Sequence, residues 1–297
     1  MIKNGHGLQF MNGLERIILK SGAIKCLLTL ILAVSYAGIA RGEFKTVYTL
    51  SVQPRYTPIE TSHNWTPLLA RIEKDCGLSF QLRQYDSMRS FEADLMKGIP
   101  DFAYLNPYHM VLAKRTQNYL PVLRDKLKFH ALLLVSNDSS IQNLADLSGK
   151  TVAFPDPAHF ATSVYMRYML NEKEKIEIKP VFTGKPQNAL RTVLKGEADA
   201  ASAATIMLQR ELPEVTSRFR IIYTTPDLVN FPIAANPRIP EAVRKNFLSA
   251  MLGLSRDAEG QKLLDAIQIS TPVAADYKRD YQALEKLRLE RYTKISP

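Results

Sequence analysis

Apolar residues at positions 65, 68, 69 and 72 recur at helical spacing between Ser62 and Gly77. Just upstream, Thr46-Val-Tyr-Thr-Leu-Ser-Val52 reads as a strand and Gln53-Pro-Arg-Tyr-Thr-Pro58 as a loop. Asn64 or Ser62 is expected to cap the helix, with Pro67 in its first turn, where a missing N–H costs little, and Gly77 at the stop. The same alternation continues along the chain. Further strands are predicted at 78–85, 101–105, 130–136, 151–155, 177–183 and 219–224. Further helices are predicted at 88–97, 107–117, 141–147, 159–172, 186–196, 205–212, 240–256 and 272–293. Alternation of this kind predicts an α/β fold with mainly parallel sheets. The last predicted helix, Tyr277 to Tyr292, is rich in Lys, Arg and Glu and reads as a solvated face.

Composition adds limits rather than an activity. The chain has 297 residues, 46% of them hydrophobic, which is ample for a core and for two units of ordinary size. Residues 1–42 read as a signal peptide: Arg16, Lys20 and Lys25 precede an uncharged run of 15 residues, Cys26 to Ala40. That run is short for a membrane span, and Gly38, Ala40 and Gly42 offer small residues for cleavage after 40 or 42. The charged segment before it is long, which makes Met11 a candidate start; an uncleaved anchor is the rival reading. Five of the 39 basic and one of the 29 acidic residues lie in 1–42, so the net charge falls from +10 to +6 when that segment is removed. The remaining charges are scattered and interleaved, which argues against nucleic-acid binding and is compatible with an anionic ligand. Only Cys76 remains beyond the segment, which excludes an internal disulfide and suggests a packing residue. His63, His109, His130 and His159 are too widely spaced to suggest a metal site.

No nucleophile elbow, phosphate-cradling glycine loop or Cys/His pair at useful spacing is present, so binding is a better reading than catalysis and no cofactor is expected. In open α/β sheets, ligands lie beyond the carboxyl ends of strands, where helix N-termini offer free N–H groups. Four loops fit that position. They carry Arg55, Tyr56 and Thr57; Tyr104, Asn106 and Tyr108; His159, Thr162 and Ser163; and Thr183, Lys185, Gln187 and Asn188.

Several motifs narrow the field. Trp65-Thr-Pro-Leu-Leu69, Glu73-Lys-Asp-Cys-Gly77, Gly98-Ile-Pro-Asp-Phe-Ala-Tyr-Leu-Asn-Pro107, Asp138-Ser-Ser-Ile-Gln-Asn-Leu-Ala-Asp-Leu-Ser-Gly-Lys150, Phe154-Pro-Asp-Pro157 and Gly196-Glu-Ala-Asp-Ala-Ala201 occur in order. Together they resemble the solute-binding proteins of phosphate/phosphite/phosphonate ABC transporters, from about residue 46 to about 255. The resemblance implies a two-lobed type II periplasmic binding fold. Residues 43–132 and 231–297 would form lobe one and 133–230 lobe two, with crossovers near 128–137 and 228–236 and the helices from 240 onward returning to lobe one. It also implies a small oxyanion held between the lobes by Arg55, Tyr56, Thr57, Tyr104, Asn106, His159, Phe160, Ala161, Thr162 and Lys185. The partners would be an ABC permease in the inner membrane, or in the alternative reading a sensor kinase, and the protein would be a periplasmic monomer.

The departures from the family pattern bear on the ligand. Where phosphonate-binding members read Ser-Thr-Ser-Gly, this chain reads His159-Phe-Ala-Thr162, which keeps backbone amides but only one hydroxyl. The family's His-Glu pair becomes Lys185-Pro186, and its polar residues after the Val-Asp-x-Ala run become Ser202-Ala-Ala204. Loss of the Glu removes a counter-charge for an ammonium group, which points away from aminoalkylphosphonates and towards a compact or apolar-tailed anion.

Overall fold

The computed structural model describes residues 46–209 and 211–293. The expected signal peptide and Met11 lie outside the described residues. Two sheets form. The first, β11-β4-β10-β3-β1-β2, takes β1 (Val47–Val52), β2 (Ser79–Arg83), β3 (Phe102–Tyr104), β4 (Leu120–Asp125), β10 (Pro232–Ala235) and β11 (Pro272–Ala274). The second, β7-β6-β8-β5-β9, takes β5 (Ala131–Ser136), β6 (Thr151–Phe154), β7 (Lys179–Phe182), β8 (Ala200–Ala204) and β9 (Phe219–Thr224). Both sheets are mixed. β1 pairs with β2 and β3, and β6 with β7 and β8, in parallel. The strands that enter from the other sheet, β5 and β10, pair antiparallel with their neighbours. The chain passes between sheets at 126–130 and 225–231, where Phe129 and Leu228 exchange backbone hydrogen bonds of 3.1 and 2.7 Å.

Helix α1 (Pro58–Cys76) starts four residues before Ser62. Thr57 caps it: its Oγ1 accepts from the Glu60 N–H at 3.3 Å, and the Glu60 carboxylate accepts from the Thr57 N–H at 3.0 Å. This reciprocal box outcompetes Ser62 and Asn64, and it leaves Pro67 inside the helix. Gly77 stops the helix in the left-handed region at φ 73, as expected. Trp65, Leu68, Leu69 and Ile72 are buried against the first sheet, each contributing about 1.5–3 kcal/mol.

The other helices are α2 (Met88–Met96), α3 (Pro107–Gln117), α4 (160–173), α5 (Pro186–Leu194), α6 (Thr205–Leu208), α7 (Pro213–Thr216), α8 (Glu241–Gly253), α9 (Ala258–Ala266) and α10 (Tyr277–Asp280). α8 and α9 pack on α1, as expected of the chain from 240 onward. The solvated helix expected over 272–293 is absent. That stretch contains β11, α10 and two 3-10 segments, Gln282–Leu287 and Leu289–Tyr292, separated by Arg288 at φ 47. Tyr281 and Leu289 are fully buried, the first beside α2 and α3 and the second in the core under α4. β4, β8, β10 and β11 were not expected as strands. β8, with its sequence Ala-Ala-Ser-Ala-Ala, is the central strand of the second sheet, and its small side chains let α4 and α5 approach on opposite faces.

Candidate functional site

The parallel strands β1 and β3 end side by side, Val52 opposite Tyr104, so the loops after them adjoin. The Gln53 N–H donates to the Tyr104 carbonyl at 3.2 Å, and the Gln53 side-chain oxygen accepts from the Asn106 N–H at 3.1 Å. Asn106 then caps α3, accepting from the His109 N–H at 2.8 Å. Its amide nitrogen lies 2.9 Å from His109 Nδ1, while His109 Nε2 lies 2.9 Å from Glu92. Asn106, one of the expected ligand residues, is therefore buried and committed to holding its own loop. Thr57 is likewise committed: exposed, it donates from its hydroxyl to Glu60 at 2.7 Å.

Arg55 and Tyr104 meet. An Arg55 Nη donates to the Tyr104 hydroxyl at 3.3 Å, and the guanidinium lies 4.3 Å from the Phe231 ring centre and 5.7 Å from that of Tyr56. Trp65 lies 5.1 Å and Phe231 5.8 Å, centre to centre, from the buried Tyr104 ring. Burial raises the Tyr104 hydroxyl above the ordinary phenol range, against the nearby Arg55 charge. Tyr56 is tethered by Gln268, whose amide donates to its hydroxyl at 2.6 Å. Among the described residues Arg55 forms no ion pair. It is a cation stacked on aromatic rings.

The second sheet supplies the facing loop. β6 leads into 155–159, where Asp156 accepts from the Ala158 N–H at 2.8 Å and α4 begins after His159. The first turn of α4, Phe160–Tyr165, is π-helical: the Ser163 and Val164 N–H groups both donate to the His159 carbonyl. Such turns are rare and favour functional sites. The wide turn aims the N–H groups of 160–162 towards the start of the helix. The side chains of Phe160 and Ala161 are buried in the second core, so only their backbone is available. His159 Nδ1 lies 2.8 Å from the Thr162 hydroxyl. Burial first, and then the Arg55 charge, lower the His159 pKa from 6.5 to about 4, so its ring is neutral at pH 7. The second cause sets Arg55, from the first sheet's loops, close enough to act on His159, from the second's.

Lys185 stands at the start of α5 with an exposed side chain and no ion pair among the described residues. Its loop adjoins the His159 loop, since both the N–H and the hydroxyl of Thr183 donate to the Phe154 carbonyl. Two groups not singled out as ligand candidates stand out here. The buried hydroxyls of Ser202, in β8, and Thr205, just after it, have no hydrogen-bond partner among the described residues. Ser202 shares the face of β8 that packs on α4. Phe231 was missed too, because an aromatic beside a proline in a crossover carries no sequence signal for stacking an arginine. No group of three or more His, Cys, Asp or Glu among the described residues could hold a metal.

The family described as ABC transporter, phosphonate, periplasmic substrate-binding protein matches residues 50–281. The chain belongs to this family. The phosphate-import protein PhnD of Mycolicibacterium smegmatis is 20% identical over 225 residues, covering 68% of this chain and 70% of the relative. A binding protein component of an ABC phosphonate transporter from Pseudomonas aeruginosa shares the fold with a TM-score of 0.69 at 15% identity, covering 84% of this chain and 88% of that one. PhnD1 of Prochlorococcus marinus, solved with methylphosphonate, has a TM-score of 0.69 at 17% identity, over 82% of this chain and 98% of that one. This binding protein thus has the type II periplasmic binding fold, and its role is that of the periplasmic substrate-binding component of a phosphonate ABC transporter. That role implies a small anionic ligand and a membrane permease as partner, and it disfavours the sensor-kinase reading. No helix among the described residues is long and apolar enough to cross a membrane.

Proposed function

We infer that this binding protein captures a compact phosphorus oxyanion with an uncharged tail, such as methylphosphonate, between Arg55 and Tyr104 on one lobe and the 159–162 turn on the other. The observation that carries this reading is the Arg55 guanidinium, without an ion pair among the described residues, held against Phe231 and the Tyr104 hydroxyl at the loops whose charge bears on the His159 ring. The Thr162 hydroxyl can donate to Nδ1 of the neutral ring, which leaves Nε2–H to donate to a ligand oxygen. The spare hydroxyls of Ser202 and Thr205 support a polar lining, and the methylphosphonate complex of the Prochlorococcus relative supports the ligand class. Because the anion would touch both lobes only when they shut, its differential affinity would drive closure. The protein acts as a monomer without catalysing a reaction. It is exported by the segment 1–42, so N-terminal sequencing of the periplasmic form should read from near Arg41 or Glu43.

Titration calorimetry with methylphosphonate, phosphate and 2-aminoethylphosphonate tests the reading. An ammonium group desolvated beside Arg55 without a counter-charge costs several kcal/mol. The aminophosphonate should therefore bind more weakly than methylphosphonate. The reverse preference, or no heat with either phosphonate, sinks the proposal.

A further inference from the structure

Arg167 lies on α4, on the stretch after its π-helical first turn, and makes no ion pair among the described residues. Its guanidinium is bonded instead to three backbone carbonyls. One Nη donates to Pro157 at 2.6 Å and to Tyr292 at 2.7 Å, and Nε donates to Ser163 at 3.3 Å. Pro157 belongs to the loop that carries His159, and Tyr292 to the C-terminal segment. The ring centres of Phe182 and Tyr292 lie 5.2 and 5.7 Å from the guanidinium carbon. Arginine presents its donors in a rigid planar fork, so one side chain can hold carbonyls from three separate segments in fixed relation.

The C-terminal segment is anchored at both lobes. Tyr281 is fully buried beside α2 and α3 and donates to the Asn230 carbonyl, in the crossover, at 3.0 Å. Eight residues on, Leu289 is fully buried under α4, Tyr292 packs edge-on against Tyr168, and Arg291 and the Tyr292 hydroxyl both reach Glu172. At the second anchor the Tyr108 hydroxyl, on α3, also donates to Glu290 at 3.3 Å. We propose that Arg167 is a positioning residue that ties the C-terminal segment 288–293 to the 155–159 loop, so that docking of this segment holds the anion-binding turn of the second lobe in register. The segment does not itself supply a ligand contact. It acts through Arg167 and the Pro157 carbonyl.

The effect on affinity rests on the proposed ligand site, whereas the tie itself does not, and the test separates them. Hydrogen exchange of the ligand-free full chain is compared with that of Arg167→Lys, a truncation after Leu287, and the two combined. Lysine keeps the charge but cannot bridge three carbonyls. Exchange at 156–163 is expected to rise about tenfold in each single variant, while amides of β5, β6 and β8 stay as in the wild type. The truncation should add nothing at 156–163 once Arg167 is Lys, a non-additivity that a merely structural role would not produce. Methylphosphonate affinity should fall about tenfold in parallel. Wild-type exchange at 156–163 in Arg167→Lys, or a rise spread evenly over the second sheet, overturns the tie. Should the truncated chain not fold, Arg167→Lys alone decides it. A wild-type protein that binds no methylphosphonate refutes the ligand reading, and the exchange result still decides the tie.

Discussion

Replacing Arg55 by Met tests the site at the cation that Tyr104 and Phe231 hold between the two sets of loops. The guanidinium now donates to the Tyr104 hydroxyl at 3.3 Å and stacks 4.3 Å from the Phe231 ring centre. A Met of similar length keeps an apolar, polarisable stem against Phe231 and Tyr56, so the ligand-free fold should lose only the cation–π and Tyr104 contributions, about 1 kcal/mol. The ligand should lose more. A charge-assisted hydrogen bond to an oxyanion is worth roughly 1.5–3 kcal/mol, or about 10- to 150-fold in Kd. A second, independent readout follows from the charge on His159. Arg55 is one of the two causes that lower its pKa to about 4, so in Arg55→Met the titration midpoint of this ring should move upwards. Calorimetry with methylphosphonate gives the first number, and NMR of the His159 ring across pH 3–8 the second. Arg55→Lys should be intermediate in affinity, since it keeps the charge but loses the planar fork. An unchanged Kd together with an unmoved His159 midpoint would refute the placement of Arg55 at a shared site.

Three further outcomes are expected. His159 has a folded pKa of about 4 against an ordinary 6.5, so as pH falls from 6.5 towards 4 the unfolded chain binds a proton that the folded chain does not. Stability should be flat above pH 6.5 and fall by roughly 1–2 kcal/mol down to pH 4, allowing for partial solvent access, and His159→Gln should remove that contribution in acid-denaturation curves. Thr57→Ala removes a capping box and should cost about 1 kcal/mol in urea unfolding with methylphosphonate affinity unchanged within twofold; a large loss of affinity would make Thr57 a ligand residue after all. Lys185→Ala should cost less than about 1 kcal/mol of binding, and the difference should vanish at high salt, because its side chain is exposed; a loss as large as that of Arg55→Met would put Lys185 on the ligand.

Local chemistry was enough to read most elements from the sequence. The apolar repeat of α1 and its Gly77 stop, the run of α3 from Pro107 to Gln117, and the β-branched strand at 219–224 each follow from neighbours within a turn or two. So did the loops at the carboxyl ends of β1, β3 and β6, because strand–loop–helix order places them there whatever the packing. Other features depended on residues far apart in sequence. Ala200–Ala204 is a strand only because α4 and α5 press on both its faces and β5 and β6 flank it, although alanine favours helix when alone. The charged stretch after Asp276 cannot show, from its own pattern, that Tyr281 and Leu289 are buried in different places, because partners such as Asn230 and the helices α2, α3 and α4 lie far upstream. The candidate site divides in the same way. Arg55, Tyr104 and His159 were recognisable as loop residues of the right chemistry, whereas burial, aromatic stacking and a charge reaching between loops 104 residues apart in sequence decide what each does. Asn106 and Thr57 carry equally suitable side chains. Tertiary and capping contacts engage those groups elsewhere, because a hydrogen bond to a nearby backbone N–H is satisfied in the folded chain before any ligand arrives.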